Sequence, residues 1–376
     1  MICQAIEYIC MNLNFPQMKE LVMKLHDERR LEACEYRSLL LCEDRSVIES
    51  LHEAARETAV RKFGRNIYIR GLVEITNICR NDCLYCGIRK SNGNIPRYLL
   101  AEDEVLGCCR NGYSLGFRTF VLQGGELPES SDGMIERLCR KISGEFPDCA
   151  LTLSLGERSE DSYRRFREAG ASRYLLRHET IDPEHYSMLH PEGMSLENRL
   201  HCLHLLKEYG YQAGTGIMVG SPFQSVGNIV GDIIFIGEYQ PEMIGLGPFI
   251  PHRDTVFAGY WKSPASILPG KTHEEEAMDL TLKLISIFRL MLPDSLIPAT
   301  TALTTLSSDG HEKGILAGAN VIMPNLSPPA VRGSYSLYDS KASSGAEAAE
   351  GLDELKLQLD SIGYKMTADR GDFTAS

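Results

Sequence analysis

From residue 67 onward, short β-rich runs alternate with amphipathic helical stretches, and this alternation constrains the 376-residue chain more than any other feature. The strand candidates are 67–76, 118–123, 149–155, 173–178, 213–219, 242–247, 295–300 and 319–323. Between them lie stretches such as Met134 to Ile142, Ser162 to Ala169, Leu196 to Tyr209 and Asp279 to Leu292, with apolar residues returning at helical spacing. Strands separated by helical crossovers pair in parallel. Eight βα units over about 260 residues predict a closed (β/α)8 TIM barrel. A doubly wound open sheet would alternate in the same way, so the count supports the barrel without proving it. The chain divides into an N-terminal helical segment (1–66), the barrel (67–340) and a C-terminal loop and helix (341–376). The first seventeen residues read as an extension with no assigned function.

Composition narrows the function classes. With 43% hydrophobic residues the chain has material for a large core, and its net charge of -12 excludes a non-specific nucleic-acid binder, which needs a basic face. No run is long and apolar enough to span a bilayer. Twelve cysteines without a signal peptide do not read as a secreted disulfide framework, so a reducing cytoplasm is expected.

Three of those cysteines, Cys79, Cys83 and Cys86, follow the first strand run with the spacing CxxxCxxC. A 4Fe-4S cube normally takes four cysteines, so three leave one iron open. An open position is the mark of a catalytic metal site, as it is for zinc. A zinc site proper needs a fourth ligand, usually from a second Cys or Cys/His pair. No such pair exists, and the next histidine is His178.

In a parallel barrel the active groups gather at the carboxyl ends of the strands. There the second strand is followed by Gln123-Gly124-Gly125-Glu126, whose glycines let a backbone edge approach a ligand. Arg177 and Glu179 share strand parity and can both face the interior, either as a ligand site or as a structural ion pair. Arg199 opens a helix and can fork onto a carboxylate, although a helical arginine is more often solvated. Thr300 and Thr301, with Arg177 opposite, can hold a small anion. Met243 and Met323 read equally well as barrel packing, and His252 as a loop histidine without a role.

Taken together, these motifs resemble the radical S-adenosylmethionine (SAM) maturases of FeFe-hydrogenase, which act on the organometallic precursor of the H-cluster. The stretches that carry the resemblance are Asn77 to Arg89, Leu153 to Glu157, Tyr174 to Thr180, Gly247 to His252 and Asn320 to Asn325. Biotin synthase and methylornithine synthase are similar at a greater distance. The resemblance implies a radical SAM barrel with one 4Fe-4S cluster on Cys79, Cys83 and Cys86. It implies SAM on Gly124, Gly125, Glu179 and Arg199, and a substrate site of Arg177, Thr300 and Thr301 walled by Met243 and Met323. Tyr335 and Tyr338 would stand near the lower part of the cavity, with Tyr338 and Arg177 as catalytic groups. It also implies partner maturases (a supplier of an iron–carbonyl–cyanide precursor and a GTPase scaffold) and an electron donor such as ferredoxin or flavodoxin. Two departures stand out. The last cysteine is Cys202, so no accessory cluster is expected, and Leu326 replaces an aromatic seen in some relatives, which leaves the cavity's local shape open. The alternatives are a methylornithine synthase-like mutase acting on an amino acid and, from another class, a non-enzymatic iron–sulfur carrier.

Overall fold

A computed structural model describes residues 15–263, 265 and 267–375. Of the extension expected over residues 1–17, residues 1–14 lie outside the described ones and 15–17 open the first helix, Phe15–Glu28. Helices Ala33–Leu41 and Arg45–Phe63 follow. The last is capped by Asp44, which accepts the Ser46 N–H at 2.8 Å, and it ends at Gly64 with φ +64°. Its buried face is Val47, Leu51, Ala55 and Ala59, one residue per turn, and it packs against the long helix His273–Met291.

The strands are β1 (Asn66–Ile69), β2 (Gly71–Thr76), β3 (Thr119–Gly124), β4 (Ala150–Ser154), β5 (Arg173–Leu175), β6 (Gln212–Thr215), β7 (Met218–Val219), β8 (Met243–Ile244), β9 (Gly247–Pro248), β10 (Val321–Ile322) and β11 (Lys365–Thr367). Six of them form one parallel sheet in the order β2-β3-β4-β5-β6-β8. All six residues of β2 are buried, as happens when helices cover one face and barrel side chains the other. Parallel bridges then close the ring: Met243 to Leu296, Pro298 to Val321, and Asn325 back to Leu72. The stave expected over 295–300 is thus present as bridged backbone rather than a regular strand. The fold is a (β/α)8 barrel.

The amino end of the barrel is closed by the chain's own C-terminus. β11, which the sequence pattern does not reveal, pairs in parallel with β1, and β1 pairs with β10. The tail then passes under the strands: Arg173 Nη2 meets Asp372 Oδ1 at 2.6 Å, and Thr119 Oγ1 donates to the Arg370 carbonyl at 2.7 Å. Above them Arg289 is wholly buried and donates to the carbonyls of Gly318, Pro293 and Ser295 and to Asn320 Oδ1, at 2.7–2.9 Å.

Candidate active site

The loop after β2 carries all three motif cysteines and has no regular structure of its own, so side chains must hold it. Arg97 does most of this, donating to the carbonyls of Asn77, Ile88, Arg89 and Asn92. Asn92 Nδ2 donates to the Gly87 carbonyl at 2.7 Å, and Asp82 accepts from Arg89 Nε at 2.8 Å. Gly87 is wedged so tightly that a Cβ there would lie 2.2 Å from the Ser336 carbonyl oxygen and 2.4 Å from the His252 ring. His252, taken from the sequence as a role-free loop residue, is buried packing for this loop, with its Nδ1 accepting the Asp254 N–H at 3.1 Å.

Cys79, Cys83 and Cys86 are free, partly buried and face one cavity. Among the described residues no three His, Cys, Asp or Glu side chains meet closely enough to hold a single metal ion. Burial, with Cys79 adding, pushes the Cys86 thiol up to about 12, and Cys83 is raised by burial and by its two neighbours. Three thiolates crowded here repel one another, and a cationic iron core would remove that penalty. The donor set therefore fits a 4Fe-4S cluster.

The cavity below the loop has a volume of about 340 Å³. On one wall Glu157 accepts Arg199 Nε and Asn198 Nδ2, each at 2.6 Å, and Arg199 also donates to the Arg177 carbonyl. Ser195 caps the helix Leu196–Glu208 and so fixes Arg199 in its first turn. Beside it Glu126 accepts from Arg80 Nε at 2.7 Å and from the Glu157 N–H at 2.8 Å. The next wall carries Arg177, paired with Glu179 at 3.0 Å, while Glu179 Oε2 is buried without a partner. Glu179 sits at φ +67°, and its turn is fixed from behind by Asp232, which accepts the Ile181 N–H at 2.6 Å. Opposite, wholly buried Glu74 accepts from Asn325 Nδ2 at 2.9 Å and pairs with Lys341, which also stands 5.2 Å from the Tyr335 ring centroid.

All of the residues expected to bind cluster, SAM or substrate line this cavity except Met243. Met243 lies beneath the floor, its Sδ 3.2 Å from Arg70 Nη1. The threonines differ from the expectation of two free hydroxyls. Thr300 Oγ1 is buried without a partner, but Thr301 Oγ1 donates to Glu347 at 2.6 Å. Burial pushes the Glu347 carboxyl up, but His311 and the hydroxyls of Thr301 and Thr304 outweigh it and leave it below its usual range. Tyr335 and Tyr338 both line the cavity, and Tyr335 Oη accepts from Gln123 Nε2 at 3.3 Å at the carboxyl end of β3. Burial raises both phenols, so both stay protonated at neutral pH. Gly125 has a packing role as well, since a Cβ there would lie 2.3 Å from the Ile78 carbonyl oxygen. Leu326 faces away from the cavity, onto Gly71 and Gly112.

Sequence reasoning missed Glu74, Lys341 and Arg97, and it singled out the turns that carry Glu126 and Glu157 without assigning either carboxylate a role. Glu126 and Glu157 follow strands in glycine turns, a legible signal, and Glu74 is a lone carboxylate in an apolar strand. It also missed a basic floor, where Arg70 is buried with Nε and Nη2 unpartnered near Arg173 and the unpartnered Thr152 hydroxyl.

A (β/α)8 barrel with an incomplete cluster-binding cysteine set at its carboxyl mouth defines a radical SAM enzyme, and the Radical SAM superfamily pattern matches residues 73–235. The chain is 40% identical over 323 residues to the FeFe hydrogenase maturase subunit HydE of Thermotoga maritima, covering 86% of this chain and 88% of that protein. It is 29% identical to the 3-methylornithine synthase of Methanosarcina barkeri, over 81% of this chain and 82% of that one. Among solved structures, methylornithine synthase superposes with a TM-score of 0.78 at 25% identity, covering 92% and 97% of the two chains. The maturase HydG of Carboxydothermus hydrogenoformans shares the fold with a TM-score of 0.75 at 19% identity, covering 96% and 80%. The chain belongs to the HydE family of radical SAM FeFe-hydrogenase maturases. Its cofactors are accordingly a 4Fe-4S cluster and SAM.

Proposed function

We propose that this enzyme directs a 5′-deoxyadenosyl radical onto an iron–cysteine organometallic precursor during assembly of the FeFe-hydrogenase H-cluster. When bound, the cluster supplies the electron that splits SAM. The protein's part is to orient, shield and keep water out. Arg199, held by Glu157, offers a guanidinium to the SAM carboxylate, and the unpartnered Glu179 Oε2 offers an acceptor to its ammonium. Arg177 and the free Thr300 hydroxyl face the substrate volume, and protonated Tyr335 and Tyr338 can donate hydrogen bonds into it. The precursor would come from a partner maturase and the product would pass to a GTPase scaffold, inside the cell.

The observation that carries this reading is the state of the cavity's carboxylates. Glu74 is already paired with Lys341 and Glu179 with Arg177, so charges facing the substrate balance and each acid there already has its cation. The unpartnered Thr300 hydroxyl and the Arg177 guanidinium suit a carboxylate-bearing molecule. A methylornithine-type substrate, with a second ammonium, needs a free carboxylate that the substrate volume lacks.

The test is a drop-out maturation. Inactive FeFe-hydrogenase is incubated anaerobically with the other maturases, SAM and reductant, with and without this protein, and hydrogen evolution is read. Restored activity that a Cys83→Ala variant loses supports the reading. A protein that cleaves SAM but restores nothing sinks it and leaves the amino-acid substrates.

A further inference from the structure

His178 stands between two residues of the site and takes no direct part in it. Arg177 and Glu179 line the cavity, whereas His178 points out through the barrel wall. There it is wholly buried against the helix Val226–Tyr239, its ring 4.8 Å from that of Phe235. Its Nδ1 lies 2.8 Å from Thr215 Oγ1 at the end of β6, and its Nε2 lies 3.4 Å from Asp232 Oδ1. Asp232 is wholly buried too, in a helix whose inner face is otherwise apolar, with Ile229, Val230, Ile233 and Ile236. Packing alone does not explain the pair. Two apolar side chains of similar shape would serve the fold about as well, and burying a carboxyl group is costly.

What the pair does hold is a strained turn. Glu179 has φ +67°, a conformation that is costly for a residue with a side chain and persists only where its surroundings over-determine it. On one side its N–H donates to the Gly216 carbonyl at 3.1 Å, just beyond Thr215. On the other the Ile181 N–H donates to Asp232 Oδ1 at 2.6 Å. The same turn presents Glu179 Oε2, buried and unpartnered, and the Arg177 carbonyl that receives Arg199. Arg177, Glu179 and Arg199 therefore all depend on one short piece of backbone, which His178 and Asp232 grip from outside the cavity. We propose that His178 and Asp232 are positioning residues for SAM. They hold Glu179 in its left-handed turn, so that its free oxygen is aimed before SAM arrives and binding need not order the turn. This rests on the reading that Glu179 accepts from SAM.

The experiment is a double-mutant cycle read as SAM affinity, by equilibrium titration of the reconstituted enzyme, with urea unfolding measured alongside. Asp232→Ala should weaken SAM about tenfold. Asp232→Asn, whose amide oxygen can still accept the Ile181 N–H, should return affinity to within about threefold of wild type. Glu179→Gln alone should also cost about tenfold. Joined to Asp232→Ala it should add no more than about threefold, because the aspartate acts through that carboxylate. Losses that multiply to about a hundredfold overturn the proposal, since that is how independent sites behave. So does wild-type SAM affinity in a folded but destabilised Asp232→Ala protein, which would leave the pair a part of the fold alone. Thr215→Val removes only the hydroxyl at His178 Nδ1 and should weaken SAM about threefold. It takes the place of Asp232→Ala in the cycle if that variant does not fold, and wild-type affinity in it is then decisive against the proposal. Wild-type affinity in Glu179→Gln is a different failure: it withdraws Glu179 from SAM, and the positioning role falls with it.

Discussion

Two arginines at opposite ends of the barrel, one wholly buried and one half-buried, are treated in opposite ways. Near the amino end Arg289 spends its guanidinium on three carbonyls and an amide oxygen. At the carboxyl mouth Arg177 has one ion pair, to a carboxylate whose other oxygen is unpartnered. Buried polar groups are normally satisfied, so the first arrangement holds the fold and the second waits for a ligand. Exact burial matters less than whether the donors are used.

Arg289→Met gives the largest effect that this contrast predicts. It leaves four acceptors unsatisfied and should cost about 3–5 kcal/mol in urea unfolding, while SAM affinity of the folded protein stays within about twofold. A SAM-binding defect larger than the stability loss would erase the distinction between the two ends. Arg97 sharpens it, because its two terminal nitrogens are also spent on carbonyls, but on those of the cluster loop. Arg97→Ala should therefore lose at least half of the bound iron after reconstitution, with Arg97→Lys partly restoring it and little change in the unfolding midpoint. Arg199 is intermediate, spent in part on Glu157 and the Arg177 carbonyl while it still lines the cavity. Arg199→Ala should weaken SAM binding by about 10- to 100-fold in an equilibrium titration of the reconstituted enzyme, because the carboxylate loses a charge-assisted donor.

Arg177→Ala should cost less for SAM than for substrate. Unproductive SAM cleavage should stay within about threefold, while coupled turnover of the true substrate falls about tenfold or more. Equal losses in both assays would move Arg177 out of the substrate wall. Lys341 makes the same point from the other side of the cavity, and it shows what sequence reading could not reach.

The barrel was legible because eight apolar runs separated by helices have few other solutions, and the cysteine spacing named its own chemistry. Side-chain direction was harder. Met243 was placed on the wall by the family resemblance, but the backbone over 242–247 is broken into β8 and β9. Gly216 approaches Gly245 so closely that a Cβ would lie 1.8 Å from its carbonyl oxygen. Parity does not carry across such a break. Thr301 was legible as a mouth residue, but its hydroxyl is claimed by Glu347, which lies 46 residues further along the chain. Lys341 reaches Glu74 across 267 residues from a segment of small residues, so nothing local announces it. The C-terminal β11 is three residues long, Lys-Met-Thr, too short for any period to show.

The smallest effect concerns pH, and it probes the fully spent region. His52, on the helix Arg45–Phe63, places Nδ1 2.8 Å from Ser286 Oγ, which in turn donates to the Ala317 carbonyl at 2.7 Å. Burial, helped by the charges of Lys283 and Arg56, pushes His52 down to about 4. Between pH 4 and the ordinary value of 6.5 the unfolded chain takes up a proton here that the folded one refuses. The unfolded state then binds more protons, so His52's contribution is complete above pH 6.5 and is lost as pH falls toward 4. Lys283 is itself pushed down, to about 8, by burial, so it stays charged throughout that window and does not confuse the sign. Allowing for solvent screening at a partly exposed ring, wild type should lose about 1–2 kcal/mol more than His52→Gln when urea unfolding is compared at pH 7 and 4.5. Carboxylates titrate in both proteins and cancel in the difference. Parallel losses would mean that His52 protonates freely in the folded state, and that this helix seam is less tightly spent than Arg289 beside it.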